Sequence, residues 1–270
     1  MTTAPSLFIS HGSPMFALEP GLLGPNLRAI GTSLSAITAV LVVSPHWQTR
    51  GVRIGNSDAP ETIHDFGGFP EPLYQLQYPA PGTPALAQDA ARLLASAGFE
   101  VALDERRGLD HGAWVPMRYL FPDADVPVFQ VSLPQSIDAA GALRLGQALA
   151  PLRQRGVLVV GSGSLTHNLY EFRQHIRDPE YARQFVGWVR DAVASRNVEA
   201  LLDYRRRSPH GERAHPTEEH YLPLLVAVGA SSATDTAQLV EGGMTYGVLS
   251  MDSFAFGLPH VAQAAPEKAA

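Results

Sequence analysis

The chain predicts an α/β fold, a single domain with a largely parallel central sheet flanked by helices. Three observations carry this expectation. Strand-like apolar runs alternate with helix-patterned segments through most of the 270 residues. The strongest runs, at residues 7–9, 39–44 and 157–160, are continuously apolar rather than alternating, as in strands buried on both faces. No internal repeat and no linker divides the sequence. We therefore expect one domain over residues 1–262 and a flexible tail over residues 263–270.

The elements follow in order. Residues 6–10 (SLFIS) are a strand that stops at His11-Gly12-Ser13-Pro14. Residues 22–37 are a helix. The strand at residues 39–44 (AVLVVS) ends at Pro45-His46-Trp47, and residues 52–55 form a short strand. Residues 63–82 are rich in glycine, proline and aromatics, the composition of a lid or binding loop. Residues 84–97 are a helix, with Pro84 in its first turn and Gly98 as its stop. Residues 99–103 are a strand that leads through a charged turn to Gly108-Leu109-Asp110-His111-Gly112-Ala113-Trp114. A strand at 126–133 and an amphipathic helix at 137–153 follow. The strand at 157–160 ends in Gly161-Ser162-Gly163-Ser164-Leu165-Thr166-His167-Asn168. Residues 179–195 are an amphipathic helix. A further helix is expected from an N-cap at Thr217, with His220 in its first turn and Gly229 as its stop. Residues 245–256 alternate enough for a strand or hairpin at an edge.

Composition narrows the function. Hydrophobic residues make up 45% and charged residues 17%, so a sizeable core is available. The net charge of −6 argues against a nucleic-acid or anionic-membrane partner. The chain has no cysteine, which excludes disulfides, thiolate metal sites and cysteine nucleophiles. Its first residues show no basic region followed by an apolar stretch, and no segment reaches the length of a membrane helix. We expect a soluble, cytoplasmic protein.

Ten histidines remain as candidate metal ligands. Three strands each release one: His11, His46 and His167. His111 sits one loop beyond another strand, and His220 is expected on a first helical turn. In a parallel sheet these positions share one edge, the edge where α/β folds collect ligands. Imidazoles converging from separate segments are what a metal centre needs. His215 and His220 form neither HExxH nor HxxEH, and His215 precedes a proline, so His220 is the chosen member of that pair. Gly161-Ser162-Gly163 lacks the lysine of a phosphate loop, and neither Ser13 nor Ser164 lies in G-x-S-x-G. His64, His175, His210 and His260 have no converging partner in the pattern.

The blocks SHGSPM, SPHW, IHDFGGFPEPLYQLQYPAPG, LDHGAWVPM, THNL and PTEEHYLPLLVAVGA, in this order, resemble the class III extradiol ring-cleavage dioxygenases, in the branch called 4,5-DOPA extradiol dioxygenase-like. They span residues 7–229. The resemblance implies an extradiol dioxygenase that opens a catechol with O2 to a muconic semialdehyde-type product, at one mononuclear divalent metal. It implies His11, His46 and His220 as metal ligands. His167 is implied as the acid/base and, in some metal-loaded states, as a fourth ligand. His111 is implied as a catalytic group facing the substrate. Trp47, Phe69 and Trp114 would supply an apolar wall for a flat ring. Fe(II) is expected for activity, and three imidazoles suit Zn(II) as well, since the broader class uses a glutamate where this chain has His220. The partners expected are a small aromatic diol and O2. Two further readings stay open at this level: a zinc-dependent hydrolase on the same scaffold, and a non-catalytic binding member of the superfold.

Overall fold

A sheet of eight strands, in the order β4-β3-β5-β2-β6-β1-β10-β7, runs through the molecule. The structure is a computed structural model that describes residues 3–34, 36–173 and 179–258. His175, His260 and the expected tail at 263–270 lie outside the described residues. The first half of the chain contains β1 (Ser6–Ser10), α1 (Leu23–Ser33), β2 (Ala39–Thr49), β3 (Val52–Gly55), a short α2 (Glu71–Tyr74), α3 (Pro84–Ser96), β4 (Val101–Asp104), α4 (His111–Leu120) and β5 (Val128–Pro134). The second half contains α5 (Ala139–Leu149), β6 (Val157–Gly163), α6 (Leu169–Arg173), α7 (Pro179–Ala194), α8 (Val198–Leu202), α9 (Tyr204–Arg207), α10 (Gly211–Ala214), α11 (Leu222–Ala230), β7 (Ala237–Val240), β8 (Met244–Thr245), β9 (Leu249–Ser250) and β10 (Ser253–Phe256).

The four central strands β5, β2, β6 and β1 are mutually parallel, so the expected sheet is present. Antiparallel pairing enters towards the edges, where β3 meets β5 and β10 lies between β1 and β7. The expected edge strand near the C-terminus is therefore a small hairpin, β8–β9, followed by an interior strand, β10.

The continuous apolar runs are continuous because each strand feeds two cores. Along β2, Leu41 and Val43 enter one core while Val40 and Val42 enter the other. Along β6, Val159 and Val160 divide in the same way. Alternate residues of a strand point to opposite faces, so a strand covered on both sides needs apolar residues at every position. Each such side chain contributes about 1.5–3 kcal/mol of transfer free energy.

Several expected boundaries move, for local reasons. The helix expected over 137–153 stops at Leu149 and tightens into a 3-10 turn over Ala150–Arg155, which carries Pro151 in its first positions. β2 does not stop at Pro45. It continues to Thr49 with a break in register between Ser44 and Gln48, so Pro45-His46-Trp47 forms a bulge. The helix expected from Thr217 begins at Leu222 instead. A start near Thr217 would place Pro223 in the helix interior, clashing with the carbonyl four residues earlier; in α11 it lies in the first turn. His220 thus sits in the turn before the helix. Gly229 does not stop α11. It lies inside it, where an added Cβ would overlap the Leu143 carbonyl oxygen of α5.

The same close approach recurs at β6. A Cβ on Gly161 would overlap the carbonyl oxygen of Pro223, and one on Gly163 would overlap that of His220. Three hydrogen bonds tie these segments together: Ser164 N–H to the His220 carbonyl (3.0 Å), His167 N–H to the Ala214 carbonyl (2.8 Å), and His215 Nε2–H to the Leu165 carbonyl (3.0 Å). His215 is fully buried against Phe185, Tyr204 and Tyr221, and its pKa falls to about 3, chiefly through desolvation.

Two predictions follow from this packing. Gly161→Ala should lose about 1–3 kcal/mol of stability by overpacking. Gly187→Ala, in α7 with nothing within 4 Å of its added Cβ, should be neutral or gain up to about 1 kcal/mol. Urea unfolding of both variants reads the difference. Between pH 6.5 and about 3, His215 binds a proton in the unfolded chain and not in the native one, so it lowers stability as pH falls through that window. His215→Gln keeps a donor for Leu165 and does not titrate. Its urea midpoint should therefore fall less between pH 6.5 and 4 than that of the unsubstituted protein.

Candidate active site

The carboxyl ends of β1, β2 and β6 lie side by side, and each presents a histidine. His11 is the residue after β1, and Gly12 turns the chain with φ +58°, packed so closely on Met251 that a Cβ would meet its sulfur. His46 rides the bulge of β2. His167 follows β6 by four residues, and the lacing described above brings His220 beside it. His111 opens α4, whose first turn is capped by Asp110 accepting from Ala113 N–H at 3.2 Å.

All five expected histidines meet. The His46 ring centroid lies 5.0 Å from His11, 4.0 Å from His111 and 5.1 Å from His220. The ring nitrogens of His11, His46 and His111 fall within 4.8 Å of one another, and so do the donor atoms of His167, Glu219 and His220. The tightest trio that includes His11 and His46 therefore contains His111 rather than the expected His220. The second group does not make a metal site by itself. The His167 and His220 rings stack at 3.4 Å and 11°, so their in-plane lone pairs run side by side instead of converging. A fourth-ligand role for His167 requires its ring to turn.

Hydrogen bonds fix the outward nitrogen of three rings, His11, His111 and His220. Ser162 has one hydroxyl proton and gives it to the Gly112 carbonyl at 2.5 Å. It must therefore accept from His11 Nδ1–H, at 2.9 Å, which leaves His11 Nε2 with a bare lone pair. His111 donates its backbone N–H and its Nδ1–H to Asp65 Oδ1, at 2.9 and 3.0 Å. His46 Nδ1 lies 3.8 Å from Asp65 Oδ2. His220 donates Nδ1–H to Glu219 Oε1 at 3.2 Å, and its Nε2 is buried with no hydrogen-bond partner. The Nε2 atoms of His11 and His46 face each other at 3.0 Å. Inward-facing lone pairs backed by outer oxygen acceptors are the arrangement of histidines that hold a metal ion.

The electrostatics keep His11, His46, His167 and His220 neutral. Desolvation, then repulsion from His46, holds His11 well below the ordinary histidine range. Desolvation and His111 lower His46 to about 3 against the opposing pull of Asp65. Desolvation lowers His167 to about 4, with His46 and His111 adding to it. His220 is pushed well down by burial and then by His167. Burial raises the Asp65 carboxyl, but the hydrogen bond from His111 and the neighbouring imidazoles overcome this and hold it at about 2.

The aromatic wall differs from expectation. Trp114 has no exposed surface and donates Nε1–H to the Ile63 carbonyl at 2.9 Å, so it props the 63–82 loop from beneath. Trp47 is 6% exposed, with the Arg107 guanidinium over its ring. Phe69 packs edge-on against Phe66, and it is Phe66 whose ring meets His111, at 5.6 Å. Sequence reasoning missed Phe66, Asp65 and Ser162, and also the Arg107–Asp110–Gln130 network beneath His46 and α4; Glu219, which the sequence offers as a solvated carboxylate of a first turn, instead accepts from His220. Asp65 and Phe66 lie inside the IHDFGGF block, and Ser162 between two glycines that already asked for an explanation. His64 bonds the Leu76 carbonyl and His210 bonds Gln184, both away from the cluster.

Residues 6–257 match the family described as the catalytic LigB subunit of aromatic ring-opening dioxygenase. A 4,5-DOPA dioxygenase extradiol of Escherichia coli (strain K12) is 40% identical over 266 residues, 95% of this chain and 96% of that protein. One from Beta vulgaris is 39% identical over 263 residues, 93% of this chain and 96% of that protein. The crystal structure of an uncharacterized protein from Escherichia coli K12, 36% identical, superposes with a TM-score of 0.80 over 94% of this chain and all of that one. With three strand ends, the start of α4 and the turn before α11 bringing five histidines to one edge, and a match running from β1 to the end of β10, the chain belongs to the LigB family of aromatic ring-opening dioxygenases and is an extradiol dioxygenase.

Proposed function

We propose that this enzyme opens the ring of a small ortho-diol with O2, beside the diol, to a muconic semialdehyde-type product at one divalent metal held by His11, His46 and His220. The observation that carries this reading is the buried, partnerless Nε2 of His220, on a ring whose centroid lies 5.5 Å from that of His11 and 5.1 Å from that of His46, beside the two Nε2 atoms that meet at 3.0 Å. A buried nitrogen without a partner costs about 1–3 kcal/mol, and a cation bound there would relieve it. Fe(II) bound there supplies Lewis-acid and one-electron chemistry that connects the diol with O2.

The remaining residues handle protons. His167 is neutral at pH 7, because burial lowers its pKa to about 4, so it is available to accept a phenolic proton and to return it later. His111, its Nδ1–H committed to Asp65, keeps Nε2 as the acceptor of its ring beside His11 and His46. Phe66 and Phe69 exclude water from one side of a flat ring. Both oxygen atoms of O2 enter the product, so the reaction needs no external reductant.

Anaerobic loading with Fe(II), followed by air and a panel of catechols, should give a coloured ring-opened product and O2 uptake equal, mole for mole, to catechol consumed. Bound iron without either signal overturns the reading, and ester or amide hydrolysis by the Zn(II)-loaded protein would replace it with a hydrolase. His220→Ala should lose metal on gel filtration. His167→Ala should keep its metal, while kcat falls about 10²–10⁴-fold.

A further inference from the structure

We infer that Asp65 is a positioning residue whose two carboxylate oxygens divide the work of the site, Oδ1 orienting His111 and Oδ2 backing His46. This rests on the metal and proton roles proposed above. Oδ1 accepts two hydrogen bonds from one residue, the His111 backbone N–H and its Nδ1–H. Two contacts to the same oxygen fix both the start of α4 and the rotation of the imidazole. Oδ2 lies 3.8 Å from His46 Nδ1, and among the described residues Asp65 is the acidic group at ion-pair distance from both rings. The rings are only 4.0 Å apart between centroids, so a single carboxylate spans them without strain in either.

The location favours a charge. Asp65 sits at the N-terminus of α4, where the helix dipole and free N–H groups stabilise an anion. A carboxylate beside a ligating imidazole favours positive charge on it and so strengthens its donation to a cation; at 3.8 Å Asp65 acts on His46 through charge rather than through a hydrogen bond. Asp65 also anchors its own loop. Ile63 N–H bonds the Leu109 carbonyl at 2.8 Å, Ile63 O accepts from Trp114, and Phe66 rests on His111. The aromatic cover and the two imidazoles are therefore set by one short segment, residues 63–66, pinned on both sides of Asp65.

Asp65→Asn and Asp65→Ala separate the two oxygens. The asparagine carbonyl can still serve His111, while its amide faces His46 with hydrogens. Zn(II) affinity, measured by chelator competition and independent of turnover, should weaken about 10–100-fold in both variants. With metal saturating, kcat of Asp65→Asn should stay within about threefold of the unsubstituted enzyme, whereas that of Asp65→Ala should drop at least tenfold. Unchanged Zn(II) affinity in both folded variants overturns the His46 half of the inference, and equal kcat losses overturn the His111 half. If the alanine variant fails to give a native far-UV spectrum, the asparagine variant decides through its Zn(II) affinity. Failure of the functional reading looks different: the unsubstituted protein itself would then open no catechol.

Discussion

The carbonyls of His220 and Pro223 press directly on the α-carbons of Gly163 and Gly161, and much of the site depends on that contact. No side chain fits between the end of β6 and this turn. The turn is therefore seated on the strand backbone itself, and Ser164 N–H completes the seat by bonding the His220 carbonyl. Between the two glycines, Ser162 points the other way. It accepts from His11 and donates to Gly112, which follows His111. Three consecutive residues thus admit one imidazole and set the tautomer of a second. Through Gly112 they also fix the first turn of α4 that carries a third. The motif resembles a phosphate loop in composition, yet its glycines serve protein backbone rather than a ligand.

A second constraint is the absence of formal positive charge from four of the imidazoles. Burial keeps His11, His46, His167 and His220 neutral, with repulsion among the rings adding to it. Neutral imidazoles are good donors to a cation, and the 3.0 Å contact between the Nε2 atoms of His11 and His46 holds those two atoms at the inner face. The fold holds that contact because the sheet and helices around it over-determine the geometry. Asp65 and Glu219 lie outside the ring of nitrogens rather than within it, so negative charge orients the imidazoles without closing the inner face that a diol and O2 need.

What could be read in the sequence follows from the range of each interaction. The central strands were legible because burial on both faces writes itself into every position of a run such as AVLVV. The histidines were legible because strand ends recur, and a parallel sheet collects them. Long-range contacts left no periodic trace. Nothing local in Pro45-His46-Trp47 shows that β2 resumes beyond it, since the reason is pairing with β5, more than 80 residues away. Thr217 looked like an N-cap because the cost of Pro223 inside that helix was not weighed against it. Gly229 looked like a stop because its partner, the Leu143 carbonyl, lies on another helix. Trp114 and Phe69 were chosen as apolar rings near a histidine, whereas burial assigns Trp114 to supporting the loop and leaves Phe66 facing His111.

The pairing of groups at this edge also accounts for the different ends that two adjacent histidines serve in the proposed function. His46 and His111 share Asp65, but His46 emerges from a strand bulge with its Nε2 held against His11, while His111 stands at the head of a helix beneath an aromatic side chain. One is fixed by sheet backbone and faces inward to the lone pairs of its neighbours. The other is fixed by a loop residue and borders the apolar cover. A metal ligand needs the first kind of rigidity and a proton-handling group the second kind of surroundings. Identical side chains acquire distinct chemistry from the element that carries each of them and from whether an oxygen accepts Nδ1–H, as Asp65 Oδ1 does for His111, or only stands near it, as Oδ2 does for His46.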